Sequence, residues 1–278
     1  MLEILKVIIL GIIEGITEWL PISSTGHLIL AEEILKPDMT EGFFEMFEVV
    51  IQFGAILAVI VLYFNKLNPF PWPQKKDKAE QKQTWSLWFK VIVACLPAAI
   101  IGLLFDDLID SVFYNYQTVA ITLVLYGVLF IIVEKYNKNR TPKVTDLANL
   151  SYKTVLLIGI IQLLALIPGT SRSGATILGA ILIGCKREVA AEFTFFLAIP
   201  VMFGASLLKI VKYGLEFGLN FSGNEIMYIC VGMIVAFVVS IVAIKFLMGY
   251  TKKKDFTIFG YYRIVLGILV LGYFIFVN

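Results

Sequence analysis

Two polar stretches interrupt an otherwise apolar chain, and both are made of residues that can do chemistry. The first runs from Glu14 to His27 and contains Glu14, Glu18, Ser23, Ser24, Thr25, Gly26 and His27, the single histidine of the sequence. The second, Pro168-Gly169-Thr170-Ser171-Arg172-Ser173-Gly174, carries glycines, hydroxyls and one arginine. Glu14 and Glu18 stand four residues apart, so on a helix they share a face. Like charges at that spacing repel. At membrane depth such a pair is costly unless it holds a metal, shares a proton or meets a cation. The plainer alternative is two carboxylates reaching water near a helix end.

The hydroxyls of Ser23, Ser24 and Thr25 come just before a short apolar helix. Capping needs one of them; three, followed by Gly26 and His27, exceed that need. A helix N-terminus offers free N–H groups and a positive dipole end, which suits phosphate. His27 is either a hydrogen-bonded packing residue or a general acid, base or phosphate nucleophile. The planar fork of Arg172 matches a pair of phosphate oxygens. Gly169 and Gly174 permit close backbone approach, and Thr170, Ser171 and Ser173 add donors. Arg172 could instead neutralise Glu14 or Glu18, and one guanidinium can do both. Glu45, Glu48 and Gln52 fall roughly on one face of a third helix, either supporting a cavity or facing its water. Carboxylates, hydroxyls, an imidazole and a guanidinium in one buried pocket suit phosphate chemistry on a lipid-borne substrate.

The elements that must position these groups are membrane helices. The chain has 278 residues, 59% hydrophobic and 16% charged, against about 45–50% and about 25% in soluble domains. Several apolar runs reach the roughly 20 residues that cross a bilayer core. Barrel strands would show short alternating segments instead. Backbone groups in lipid must be satisfied within their own segment, so the runs are helices of an all-α polytopic membrane protein. The net charge of +2 includes no basic block suited to nucleic acid. Cys95, Cys185 and Cys230 lie in or beside apolar segments and read as packing residues, not a disulfide framework. Glu3, Glu14 and Glu18 make the N-terminus a poor secretory signal.

Apolar runs fall at about 2–20, 28–36, 43–64, 86–105, 117–134, 152–168, 174–184, 188–210, 225–248 and 259–277. The second and seventh are too short to span, and each follows a polar break. Residues 11–30 align without a gap on 159–178, with seven identities in twenty that include Gly11/Gly159, Ser23/Ser171 and Gly26/Gly174. Phe53-Gly54-Ala55 likewise resembles Phe203-Gly204-Ala205. A duplication follows, with halves of about 1–148 and 149–278 in a single membrane domain. Each half is a short helical pair followed by three spans. The short pairs read as re-entrant hairpins, because irregular backbone at membrane depth belongs inside protein or beside a water-filled cavity. Three spans are odd in number, so the halves form an inverted repeat: six transmembrane helices plus two re-entrant helical hairpins that meet near the midplane.

Charge supports this layout. The loops near 65–90, 135–153, 185–187 and 249–254 fall on one side and carry most of the lysines and arginines, from Lys66 to Lys254. The other side keeps Lys6, Lys36, Lys209 and Lys212 with acidic Asp106, Asp107 and Asp110. The lysine-rich side is expected to be cytoplasmic. Both termini then face outward, and the first hairpin enters from outside. The stretch 65–85, with Pro69, Pro71, Pro73 and several lysines, is expected to be a cytoplasmic loop, either plainly topogenic or lying partly on anionic lipid.

At the polar breaks the sequence resembles the undecaprenyl-diphosphatase family of the bacitracin-resistance type. The family's Glu-x-x-x-Glu followed by Pro-x-Ser-Ser-Thr-Gly-His stands here as Glu14 to Glu18 and Pro21 to His27. Its Pro-Gly-Thr-Ser-Arg-Ser-Gly stands as Pro168 to Gly174, and the stretches 48–56 and 188–200 also look like family segments. The resemblance covers nearly the whole chain. It implies hydrolysis of undecaprenyl diphosphate to undecaprenyl phosphate, recycling the carrier lipid for peptidoglycan synthesis and conferring bacitracin resistance. It further implies a divalent cation, Mg2+ or Ca2+, a site in the bacterial plasma membrane that opens outward, and a homodimer. On this reading Glu14, Glu18, Ser24, His27 and Arg172 are catalytic and Glu14 and Glu18 hold the metal. Ser24, His27 or a water activated by His27 attacks phosphorus. The acid-phosphatase-like lipid phosphatases share a Ser-Gly-His and a Ser-Arg but need a second histidine that this chain lacks. The alternative from another class is a polyprenyl-phosphate transporter or flippase, since paired hairpins at the midplane are also transporter architecture.

Overall fold

The structure, a computed structural model, describes residues 1–72 and 75–277, without the side chains of Glu41, Asp106, Asp110 and Val277. Pro73 of the lysine-rich loop and the Asp106 and Asp110 charges therefore lie outside the described residues. The chain is helical throughout: α1 (Leu2–Thr17), α2 (Ser24–Leu35), α3 (Glu41–Leu62), α4 (Phe64–Leu67), α5 (Lys78–Phe113), α6 (Tyr116–Asn137), α7 (Tyr152–Gln162), α8 (Arg172–Ile183), α9 (Arg187–Phe217), α10 (Gly223–Thr251) and α11 (Thr257–Val277). Short 3-10 turns at Leu147–Asn149 and Leu163–Leu166 complete it. Among the described residues six segments are long and apolar enough to cross a membrane; they lie in α3, α5, α6, α9, α10 and α11. The outer faces of these helices expose large apolar side chains such as Leu103, Ile121, Val242 and Ile268, as contact with lipid requires. The remaining apolar helices, α1 with α2 and α7 with α8, form two short pairs.

Some boundaries differ from the sequence reading for identifiable reasons. The short second and seventh helices were expected to start at about 28 and 174, after the polar breaks. They start at Ser24 and Arg172, so the motif residues occupy their first turns. The hydroxyl of Ser23 accepts from the Gly26 N–H at 3.4 Å, and that of Ser171 accepts from the Gly174 N–H at 3.1 Å. A capped first turn tolerates polar side chains that an apolar-periodicity argument places outside the helix. The span expected at 86–105 extends over Lys78–Phe113. Its added start is rich in Lys, Ala, Glu and Gln, which are strong helix formers. Part of the expected 65–85 loop is therefore helix.

Packing repeats between the halves. Helix α1 lies on α10, and its counterpart α7 lies on α5; α3 packs on α10, and α9 on α5. The counterparts α3 and α9 meet each other, as do α6 and α11. A Cβ on Gly11 would come within 2.9 Å of the Gly232 carbonyl oxygen, and one on the aligned Gly159 within 2.3 Å of that of Ala94. The aligned Phe53 and Phe203 rings face each other with centroids 5.9 Å apart. Exchanging the halves thus exchanges the contacts, a pattern compatible with duplication. The repeat is imperfect: Gly54 lies against the Met233 backbone, while a Cβ on Gly204 would meet nothing.

The lysine-bearing loops gather at one end. One cavity there joins Lys66, Lys90 and Lys186, another joins Lys186 and Lys252, and a third joins Arg187 with Lys252 and Lys253. Glu134 ties this end together. It is buried, takes two nitrogens of Arg187, and accepts the Phe256 N–H at 3.0 Å. Elsewhere Lys209 pairs with Glu45 and Lys212 with Asp107.

Candidate active site

The two tips arise from the same local conformation. Ser23 and Ser171 both hold positive φ, at 73° and 71°, and each caps the helix that follows. A non-glycine residue in this region is strained and persists only when its surroundings fix it. Here the cap and the buried neighbours fix it, and the chain turns sharply into α2 and α8. Gly169 at φ +83° is required differently: a Cβ there would lie 2.2 Å from Thr122 Oγ1. Thr122 donates its hydroxyl to the Pro168 carbonyl at 2.8 Å and so fixes the second tip to α6.

The tips converge on Glu18. Ser24 Oγ donates to Glu18 Oε2 at 3.1 Å, and Arg172 Nη2 pairs with Glu18 Oε1 at 3.0 Å. The first residues of α2 and α8 therefore share one carboxylate, although they lie far apart in sequence. Arg172 also donates to the Thr194 carbonyl of α9 at 3.0 Å. Thr176 donates back to the Arg172 carbonyl at 2.8 Å, and Thr194 donates to Thr176 at 2.9 Å. Ser173 Oγ reaches the Leu20 carbonyl of the first tip at 3.4 Å and the Ser171 hydroxyl at 3.2 Å. Trp19, fully buried, meets Phe195 edge-on at 5.4 Å and seals the apolar side.

Glu14, one turn before Glu18, is fully buried, and neither of its carboxylate oxygens has a hydrogen-bond partner. The charges of Glu18, Glu48 and Arg172 all act on it. Around Glu14 three carboxylates, its own included, face one guanidinium, an excess of negative charge that a buried site compensates with a cation or a proton. The orphaned oxygens of Glu14 beside Glu18 fit a divalent ion, because Mg2+ is commonly held by one or two carboxylates with phosphate oxygens supplying the rest. No group of three or more His, Cys, Asp or Glu side chains forms a metal cluster among the described residues. A cation here would thus lean on a substrate.

The remaining predicted residues divide in two. Ser23, Gly26, Ser171 and Gly174 act in the caps. Thr25 lies half-buried in the first turn of α2, and the buried Thr170 hydroxyl faces Tyr126. His27 points elsewhere. Its Nδ1 lies 2.7 Å from the Ser23 carbonyl, so that nitrogen carries the proton and donates; Nε2 then accepts from the Tyr262 hydroxyl at 2.7 Å. Neither ring nitrogen bonds to Glu18 or Ser24. Glu48 joins the electrostatics of the cluster, whereas Glu45 turns to Lys209.

Arg263 was not anticipated. It is fully buried in α11 and donates to the Gly169 carbonyl at 2.8 Å, to that of Thr170 at 2.9 Å and to that of Pro21 at 3.4 Å. It holds both tips through their main chains, with its guanidinium over the Tyr126 ring at 5.7 Å. A cation within a predicted span was the available signal, since such residues need a partner or a purpose.

The chain is similar to known proteins over nearly its whole length. The family model described as "Bacitracin resistance protein BacA" matches residues 7–269. The chain is 64% identical over 271 residues to an undecaprenyl-diphosphatase of Enterococcus faecalis, covering 98% of this chain and 97% of that one. It is 64% identical over 276 residues to the undecaprenyl-diphosphatase of Acetivibrio thermocellus, covering 99% of each. A third relative of the same name, from Desulfitobacterium hafniense, is 59% identical over 275 residues, covering 99% of this chain and 97% of the relative.

Proposed function

The chain belongs to the bacitracin resistance protein BacA family, and on that premise we propose that it is an undecaprenyl-diphosphatase embedded in the bacterial membrane. It hydrolyses undecaprenyl diphosphate to undecaprenyl phosphate and inorganic phosphate, returning the carrier lipid to peptidoglycan synthesis; in abundance it confers bacitracin resistance. The observation that carries the reading is the shared carboxylate of Glu18, with a hydroxyl on one oxygen and a guanidinium on the other.

Arg172 and the N-termini of α2 and α8 grip the diphosphate. Ser24 is the nucleophile that this geometry supports. Glu18 accepts the Ser24 proton as Oγ bonds to the terminal phosphorus. The phosphoanhydride bond breaks, and the proton passes to the departing undecaprenyl phosphate. Water then hydrolyses the phosphoserine, restoring the hydroxyl and releasing phosphate. Glu14 and Glu18 would hold the divalent cation, whose chemistry when bound is neutralisation of phosphate charge. His27, tied to Ser23 and Tyr262, orients the first tip on this reading. The duplicated halves as an inverted repeat, the tips as re-entrant hairpins, termini outside and a site opening outward belong to the same proposal, supported by the exchanged contacts and gathered lysines described above; a homodimer belongs to it on the family resemblance alone. A transporter reading leaves the Ser24–Glu18 contact without a role.

The test is turnover by the purified protein with a divalent cation. Arg172→Ala and Glu18→Ala should each lower kcat by about 10²–10³, the usual effect of removing one preorganised charge-stabilising group. Brief incubation with labelled substrate should leave phosphate on Ser24. Near-normal rates in both variants would refute the site, and label on His27 would move the nucleophile.

A further inference from the structure

A second group of charges lies at the lysine-rich end, away from the tips. A cavity of about 540 Å³ opens there between the start of α5, the turn before it, the 145–148 segment and the start of α9. Lys66, Lys75, Lys76, Lys90 and Lys186 line it. Four carboxylates line it too; two are paired with lysines and two accept only main-chain N–H groups. Glu192 pairs with Lys66, and Glu188 with Lys186 at 3.0 Å. Glu80 accepts from the Asp77 N–H at 3.1 Å, and Asp146 accepts from the Ala148 N–H at 2.8 Å.

Five lysines against four carboxylates leave one positive charge in excess. Lys90 is only 7% exposed, and its ammonium reaches the Ala148 carbonyl at 3.1 Å. Lys76 donates to the carbonyls of Asn65 and Asn68, the latter at 2.7 Å, and lies 3.4 Å from the Thr84 hydroxyl. These acceptors are all neutral. Lys90 spends one N–H donor on its carbonyl, and Lys76, whose three are taken, would exchange its long contact to Thr84 for an anion. The wall is also fixed. Trp88 donates to the Leu67 carbonyl at 2.7 Å, and Gln81 to that of Lys76 at 3.0 Å, so the turn is strapped to α5. On the face of α5 opposite the cavity, Trp85 and Phe89 are exposed, and Phe70 meets Trp85 edge-on; Trp72 is exposed as well. Exposed tryptophans beside lysines mark the level of lipid headgroups.

We propose that this cavity is a second phosphate-binding site, distinct from the tips, that takes the phosphate of an anionic lipid headgroup or a free phosphate ion on Lys76 and Lys90. Basic pockets between membrane helices bind headgroups in this way. The site needs no turnover and stands whether or not the tips hydrolyse diphosphate.

Native mass spectrometry of the delipidated full chain, titrated with phosphatidylglycerol and with phosphatidylcholine, tests it. The wild-type protein should retain phosphatidylglycerol preferentially. Lys76→Gln with Lys90→Gln should weaken that retention by roughly a hundredfold, the order of two lost charge-assisted hydrogen bonds. Lys252→Gln with Lys253→Gln, at the same end but outside the cavity, should leave it unchanged, as should Arg172→Ala. Displacement by inorganic phosphate would identify the free ion as an occupant; resistance to it would identify the headgroup. Lys76→Gln alone, checked for a normal unfolding temperature, covers the case in which the double variant does not fold. Equal losses from both lysine pairs, or no loss from the cavity pair, would overturn the proposal. Loss in Arg172→Ala would assign the lipid to the tips instead.

Discussion

Glu18 uses its two oxygens on different partners, and neither partner belongs to its own helix. That economy explains why the cluster depends on geometry elsewhere. Arg263 supplies much of it, because its guanidinium is the donor for carbonyls from both tips. Replacing it with methionine leaves buried carbonyls short of a donor, a penalty of about 1–3 kcal/mol for each one left unsatisfied. The tips would then shift by a fraction of an ångström to an ångström, and misplacement on that scale costs about 10² in rate. Arg263→Met should therefore lower kcat about a hundredfold with a much smaller change in KM, and Arg263→Lys should recover part of the loss. Wild-type kcat in Arg263→Met would show that the tips hold their register without it. Arg263 escaped sequence reading because its partners are main-chain oxygens, which no motif encodes. Glu18, Ser24 and Arg172 were legible because side chains of scarce types were set in apolar surroundings.

At the scale of helices, the aligned glycines do most to set distance. Gly11 lets α1 approach α10, and Gly159 lets α7 approach α5. An added methyl at Gly159 would meet the Ala94 backbone at 2.3 Å, and backbone cannot step aside as a flexible side chain can. Overpacking of this kind costs about 1–3 kcal/mol. Gly159→Ala should lower the unfolding temperature and reduce activity together, whereas Gly204→Ala, which meets nothing within 4 Å, should do neither. Equal effects at the two positions would show that close approach is not what Gly159 supplies. The glycine and serine identities of the two breaks made this equivalence readable in the chain. The helix starts were less readable, since capping by Ser23 and Ser171 draws polar residues into first turns that hydropathy alone assigns to loops.

For the molecule as a whole, the gathering of lysines at one end carries a prediction about orientation. In a cysteine-free background, Lys36→Cys should react with an impermeant maleimide in intact cells, and Lys253→Cys only after the membrane is opened. The reverse pattern would invert the proposed topology. Apolar runs and lysine counts sufficed to place these loops together, because both follow from the bilayer itself. The joint between the tips follows from something the bilayer does not dictate. Arg263 grips carbonyl oxygens, and every residue type has one. Side chains at positions 24 and 172 can therefore be exchanged without dissolving the joint that brings them together. The same frame could be fitted with a different nucleophile at one tip and a different charge at the other, which makes it a scaffold on which new intramembrane chemistry can be built.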